Sequence, residues 1–172
     1  MINNKYIESD VSDKLFAISH YIKKGINIPN IIFVIFSLVL SSVSFLGDFE
    51  PFSIVFLGLA SVFNIPLLLV LIASVIGMII GSFTASAISK IVVLFFVFSL
   101  ITAFINIEGI SKKYSVFIKL ISSFWVVEII SNIISGNFFS SILMLLTNAL
   151  VISILYFIFV PGMSVIINLK KS

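Results

Sequence analysis

The sequence contains no cysteine and no arginine. Without cysteine there are no disulfides and no thiolate metal sites, and the redox compartment is left open. Without arginine there is no planar fork to hold a phosphate or carboxylate bidentately, which argues against nucleic acid as a partner. Charge of either sign is scarce, at 10% of residues, where soluble domains carry ~25%. The single histidine, His20, excludes a histidine cluster and reads as exposed or interfacial. No Gly-rich phosphate loop, no Ser-His-Asp set and no metal-spaced group of acids occurs. The sequence therefore offers no catalytic residue, no cofactor site and no metal site.

What is abundant is hydrocarbon. The 172 residues are 60% hydrophobic, with a mean hydropathy of +1.31. Soluble domains run at ~45–50% apolar, and no single core of this size hides the excess. The solvent for most of the chain is expected to be lipid. The expected fold class is all-α: a polytopic membrane helix bundle.

Residues 1–28 form a polar leader. Within it Val11, Leu15, Ile18 and Ile22 recur at helical spacing, Ser9 or Ser12 suits a cap, and Gly25 suits an end. Lys14, Lys23 and Lys24 would lie near anionic headgroups, so a short interfacial amphipathic helix is expected there. Residues 29–172 form the transmembrane part. Apolar segments fall at about 29–47, 51–64, 65–83, 90–107, 116–135 and 138–160, with residues 165–169 continuing briefly along the interface. A span needs ~20 residues, and 51–64 covers only about 21 Å at ~1.5 Å per residue. Asn64 and Pro66 leave three readings of it: a short span, a re-entrant segment, or part of one bent helix.

Lysine bias favours six crossings. With six spans and the N-terminus in the cytoplasm, nine of ten lysines are cytoplasmic and only Lys90 lies outside. If 51–83 crosses once, the split is five to five. The expected topology is therefore six transmembrane helices with both termini inside. It places Asp48 and Glu50, in "FLGDFEPFSIVFLG", in water in the first outer loop. An acid there complements a helix N-terminus, and Pro51 suits the first turn.

Two intramembrane features stand out. Ala73, Gly77, Gly81 and Ala85 are spaced by four, with Ser89 continuing the row. Such a ridge lets another helix approach closely, chiefly within the chain and secondarily in a dimer or with a partner. The other feature is Glu128, in the segment 116–135. About twelve large apolar residues there favour insertion by roughly 4–7 kcal/mol in total, against ~2.5–3.5 for one central charge. The helix inserts, and the acid must face protein or water. Ile121, Trp125, Glu128 and Asn132 share a face, and Thr147 and Asn148 lie at comparable depth. Glu128 and Asn132 are expected to bond across to the last helix. An ion or proton path is the sharper, less favoured reading. Lys119 is expected to snorkel to the cytoplasmic boundary.

The stretch "GDFEPFSIVFLGLASV" carries a resemblance. A span, a short outer loop and a Pro-Phe-opened helix of the form PFxxxFxGxA resemble the membrane region of stage II sporulation protein E. Pro51, Phe52, Phe56, Gly58 and Ala60 carry the pattern. It continues at "VLFFVFSLITAFI", residues 93–105, and "FVPGMSVIINLKK", residues 159–171. That family joins a multi-spanning membrane region to a regulatory segment and a metal-dependent serine/threonine phosphatase. The resemblance implies an anchoring and localisation module at the sporulation septum of a bacterial cytoplasmic membrane. It also implies self-association or contact with other membrane and division proteins. Two departures are plain. The sequence covers about half of such a membrane region, without the phosphatase acids, so no enzymatic activity is expected of it. The basic residue expected before Pro-Phe is replaced by a neighbourhood of Ser41, Ser42 and Ser44.

The alternative expectation is a small-molecule transporter subunit, such as the substrate-binding component of a vitamin importer. It requires a polar pocket near the outer face, for which Asp48, Glu50, Asn106, Asn137 and Asn148 are candidates. The interrupted helix at 51–64 is the kind of segment that lines such sites.

Overall fold

A computed structural model describes residues 28–43, 49–135 and 142–168. The interfacial helix expected within 1–28, His20, Asp48 and Asn137 lie outside the described residues. Every regular element among the described residues is an α-helix: α1 (Ile28–Ser41), α2 (Pro51–Phe63), α3 (Leu67–Ile80), α4 (Ala85–Phe104), α5 (Lys112–Ser135) and α6 (Ile142–Asn168).

The local chemistry explains the short middle helices. Pro51 occupies the first turn of α2, where its missing N–H costs nothing. Asn64 ends α2 in the left-handed conformation, φ 56° and ψ 36°, which asparagine tolerates better than most residues. The Ile65 N–H reaches back to the Ala60 carbonyl at 2.9 Å, and Pro66 then opens α3. So 51–83 is two helices and not one bent helix. A second break follows at once. The Gly81 N–H bonds the Gly77 carbonyl, Ser82 turns left-handed at φ 59°, and the Thr84 hydroxyl accepts from Ala87 N–H at 3.2 Å to cap α4. Hence α4 starts at Ala85, not near residue 90. At the far end, α6 continues through Pro161 to Asn168, where an end near residue 160 was expected.

Among the described residues, three helices are long and apolar enough to cross a membrane: Ala85–Phe104, Lys112–Ile134 and Ile142–Val165. The helices α1, α2 and α3 are apolar but have 14, 13 and 14 residues, or about 20 Å each at ~1.5 Å per residue.

Their arrangement follows from α2. Ile54, Val55, Phe56, Leu57, Leu59 and Ala60 are all buried, so this helix is apolar all round and must be enclosed. It is the one element that touches all five others, which close a ring in the order α1, α3, α4, α5, α6 and back to α1. Phe56 meets Phe33 of α1 edge-on at 5.1 Å and Phe159 of α6 at 5.7 Å. The hydroxyl of Tyr156, a fully buried residue, donates to the Lys113 carbonyl at 2.8 Å and ties α6 to the start of α5. The outward faces of α3 to α6 carry large apolar side chains, among them Ile80, Phe96, Ile133, Leu143 and Ile158.

The small-residue ridge packs inside the chain. A side chain at Gly77 would run into the Leu38 backbone of α1, and one at Gly81 would lie 2.5 Å from the Ser42 carbonyl oxygen. Ser37 of α1 and Ser74 of α3 share a buried hydrogen bond of 2.9 Å. The ridge is shorter than the spacing predicts. Ala85 is exposed and Ser89 sits with it on α4, because the turn at Gly81–Thr84 ends the helix that would have carried them on. Ser41, one of the serines before the Pro-Phe motif, accepts a 2.9 Å hydrogen bond from the Ser53 hydroxyl and joins α1 to α2.

Candidate functional site

A central helix shorter than its neighbours leaves space within the ring. At the N-terminal end of α2 lies a cavity of about 180 Å³, walled by α3, α4, α5 and α6. Its floor is the first turn of α2 with Phe49, Glu50 and Ile54, and Met78, Leu94 and Phe124 supply apolar wall. The polar lining comes from separate helices: Lys90 of α4, Glu128 and Asn132 of α5, and Asn148 of α6.

Glu50 is not in water, as the sequence implied, but 2% exposed. It caps α2, accepting from Phe52 N–H at 3.0 Å and from Ser53 N–H. The four free N–H groups of a helix start need such an acceptor, and a central helix offers them only inside the bundle. Burial pushes the Glu50 carboxyl up to about 7, against the bonds from Ser53 and Phe52 that favour its charged form.

Glu128 does not bond to α6. Its carboxylate oxygens accept from the Lys90 ammonium at 3.3 and 3.4 Å, and Thr147 is occupied by the Leu143 carbonyl of its own helix. The reason is the ring order, which sets α5 between α4 and α6, together with the early start of α4. Counting from Ala85, Lys90 is more than a turn inside the helix and level with Glu128. The sequence carried a signal for this pair: opposite charges at similar depth in consecutive apolar segments. It was obscured by a segment boundary drawn at Lys90 itself.

Asn132 and Asn148, expected together, do line the same cavity. Asn148 is half-buried and has no hydrogen-bond partner among the described residues. Asn106 is elsewhere, in the α4–α5 connection, donating to Glu108 at 3.4 Å. The opposite end of α2 is closed by Lys112, which donates to the Asn64 side-chain oxygen at 2.7 Å. Lys119 is 8% exposed in α5 and does not line the cavity.

The residues of the Pro-Phe pattern lie along the axis of the bundle, and none of them lines the cavity. Pro51 is buried, Phe52 meets Phe159 at 6.3 Å, and a side chain at Gly58 would reach the Leu120 side chain at 2.7 Å. They hold α2 in place and are not themselves chemical groups of the cavity beyond that.

No group of three or more acids and histidines suited to a metal ion occurs among the described residues. Compared with protein-family models, curated proteins and solved structures, the chain matches none.

Proposed function

We propose that this chain is a multi-pass membrane module that anchors and localises through helix contacts, in the manner of the sporulation phosphatase membrane region it resembles. In this reading all six helices cross the bacterial cytoplasmic membrane, both termini face the cytoplasm, and the leader lies along the interface. The supporting observation is the ring itself. Phe52 and Phe56 of the Pro-Phe stretch meet Phe159 of the closing stretch, and Leu94 and Phe98 of the middle stretch are buried in the same core. The three separated parts of the resemblance converge on one packing unit. Self-association would use a lipid-facing surface of the ring, since the Gly77 ridge is taken up by α1. The test is a fluorescent fusion of the full chain in sporulating cells, with single-molecule photobleaching of the purified protein. Septal foci and multi-step bleaching are expected; diffuse monomers overturn the reading.

A second reading, a small-molecule-binding subunit of a transporter, is favoured by one observation. The cavity collects polar groups from α2, α4, α5 and α6 at the end that six-span topology places outside. A small molecule that copurifies, or a vitamin that raises the melting temperature, is the expected sign. A panel with neither outcome removes this reading.

A further inference from the structure

We infer that the cavity at the N-terminal end of α2 binds a small protonated primary amine, no larger than about an amino acid. The inference rests on the second reading above and specifies its ligand. Size comes first. A volume of about 180 Å³ matches about six water molecules at ~30 Å³ each in the liquid. It is smaller than the ~300–1,000 Å³ that drug-sized ligands take.

Charge comes second. Among the described residues that line the cavity, two titratable groups are carboxylic acids, Glu50 and Glu128, and one is a base, Lys90. The walls from α3 and α6 add no charge. Lys90 and Glu128 are paired, at distances longer than the ~2.7–2.9 Å usual for such bonds. Glu50 lines the cavity with no ion-pair partner among the described residues. Its oxygens take the Phe52 and Ser53 N–H groups, the Ser53 hydroxyl adds a third contact, and one of the carboxylate's roughly four acceptor positions stays open. A buried carboxylate without a counter-charge is costly, so the cavity lacks one positive charge. A guest that carries it relieves that cost.

Donor geometry and walls come third. An ammonium has three N–H donors and no acceptor. Among the described residues, open acceptor positions in the lining remain at Glu50, at Glu128 beyond its Lys90 bonds, and at the carbonyl oxygen of Asn148, which has no hydrogen-bond partner among them. The Phe49 and Phe124 rings, 6.3 Å apart, line the same space, and aromatic faces attract cations. A short apolar stem suits Met78, Ile91 and Leu94. An anion would meet two acids, and a neutral molecule would leave Glu50 uncompensated.

Because the guest takes the place of a proton at Glu50, whose carboxyl is pushed up to about 7 by burial, its binding should tighten as pH rises from 6 to 8. The experiment uses the full chain purified in detergent, with thermal unfolding and calorimetry against three molecules of one length: 4-amino-1-butanol, 1,4-butanediol and 4-hydroxybutyrate. The amine is expected to raise the melting temperature by several degrees at saturation, and the diol and the acid are not. Glu50→Gln and Asn148→Ala are each expected to weaken amine binding at least tenfold. Asn148→Ala deletes no hydrogen bond among the described residues and so should fold normally, while Asn106→Ala, outside the cavity, should bind as the parent does. If the diol or the acid stabilises as well as the amine, the cation inference falls and the pocket reading stands. If none of the three stabilises and the vitamin panel also fails, both fall.

Discussion

Glu50 sits between two opposed influences. Its oxygens accept backbone N–H groups that favour the carboxylate, yet burial outweighs them and holds the carboxyl up to about 7. In the unfolded chain the group titrates near 4.5. The folded state therefore retains a proton that the unfolded state releases between those values. Stability falls as pH rises from about 4.5 to about 7 and is level above that. The displacement corresponds to a cost of about 3 kcal/mol at neutral pH. The melting temperature should drop across that window, and Glu50→Gln should flatten the drop; an unchanged profile in the variant contradicts the assignment. The Lys90–Glu128 pair makes a second residue-level prediction. Its partners are 40% and 17% exposed, so the contribution is modest. Removing Lys90 alone strands a carboxylate, and removing both does not. Lys90→Met, Glu128→Leu and the double variant should therefore couple by about 1 kcal/mol in unfolding experiments. Additive losses would mean that the pair is incidental.

At the scale of the element, α3 is defined by its contact with α1. Replacing glycine by alanine inside a helix usually helps, by about 1 kcal/mol. At Gly77 the sign should reverse, because the added carbon meets the Leu38 backbone and not the end of a flexible side chain. Gly77→Ala should cost about 1–3 kcal/mol, the usual range for overpacking, read as a lower melting temperature in detergent. A neutral or stabilising result would show that α1 and α3 can separate. The same turn chemistry that frees Gly77 for this contact ends α3 at Ile80 and begins α4 at Ala85. That shift of about five residues from the expected start carries Lys90 into the bundle.

At the scale of the whole molecule, the ring around α2 decides what is inside. The proposed six-pass topology puts the α3–α4 turn outside and the α4–α5 connection inside. The chain has no cysteine of its own, so single-cysteine variants report without background. Ser82→Cys should react with an impermeant maleimide on intact cells or protoplasts, and Ser111→Cys only after permeabilisation. Equal labelling of both sites from outside would refute the topology.

Much of the architecture was legible along the chain. The segment breaks are local events, such as Pro51 in a first turn, Asn64 in the left-handed region and Pro66 after it. Local backbone chemistry can be read from neighbours in sequence. The cavity was legible only in part. Glu128, Asn132 and Asn148 stood out because polar groups in hydrocarbon are expensive wherever they sit. Their shared face and depth were legible too, but the cavity that they line and the identity of the Glu128 partner were not.

By itself, the sequence determined that the chain is helical, apolar and broken into six segments, because composition and turn chemistry act over a few residues. Only the tertiary structure decided that α2 lies at the centre, that Glu50 folds inward to cap it, and that Lys90 faces Glu128. Those outcomes depend on which helix neighbours which. Helices that are apolar on every side carry little in their sequence to say so; the order of the ring emerges only when all of them are packed at once.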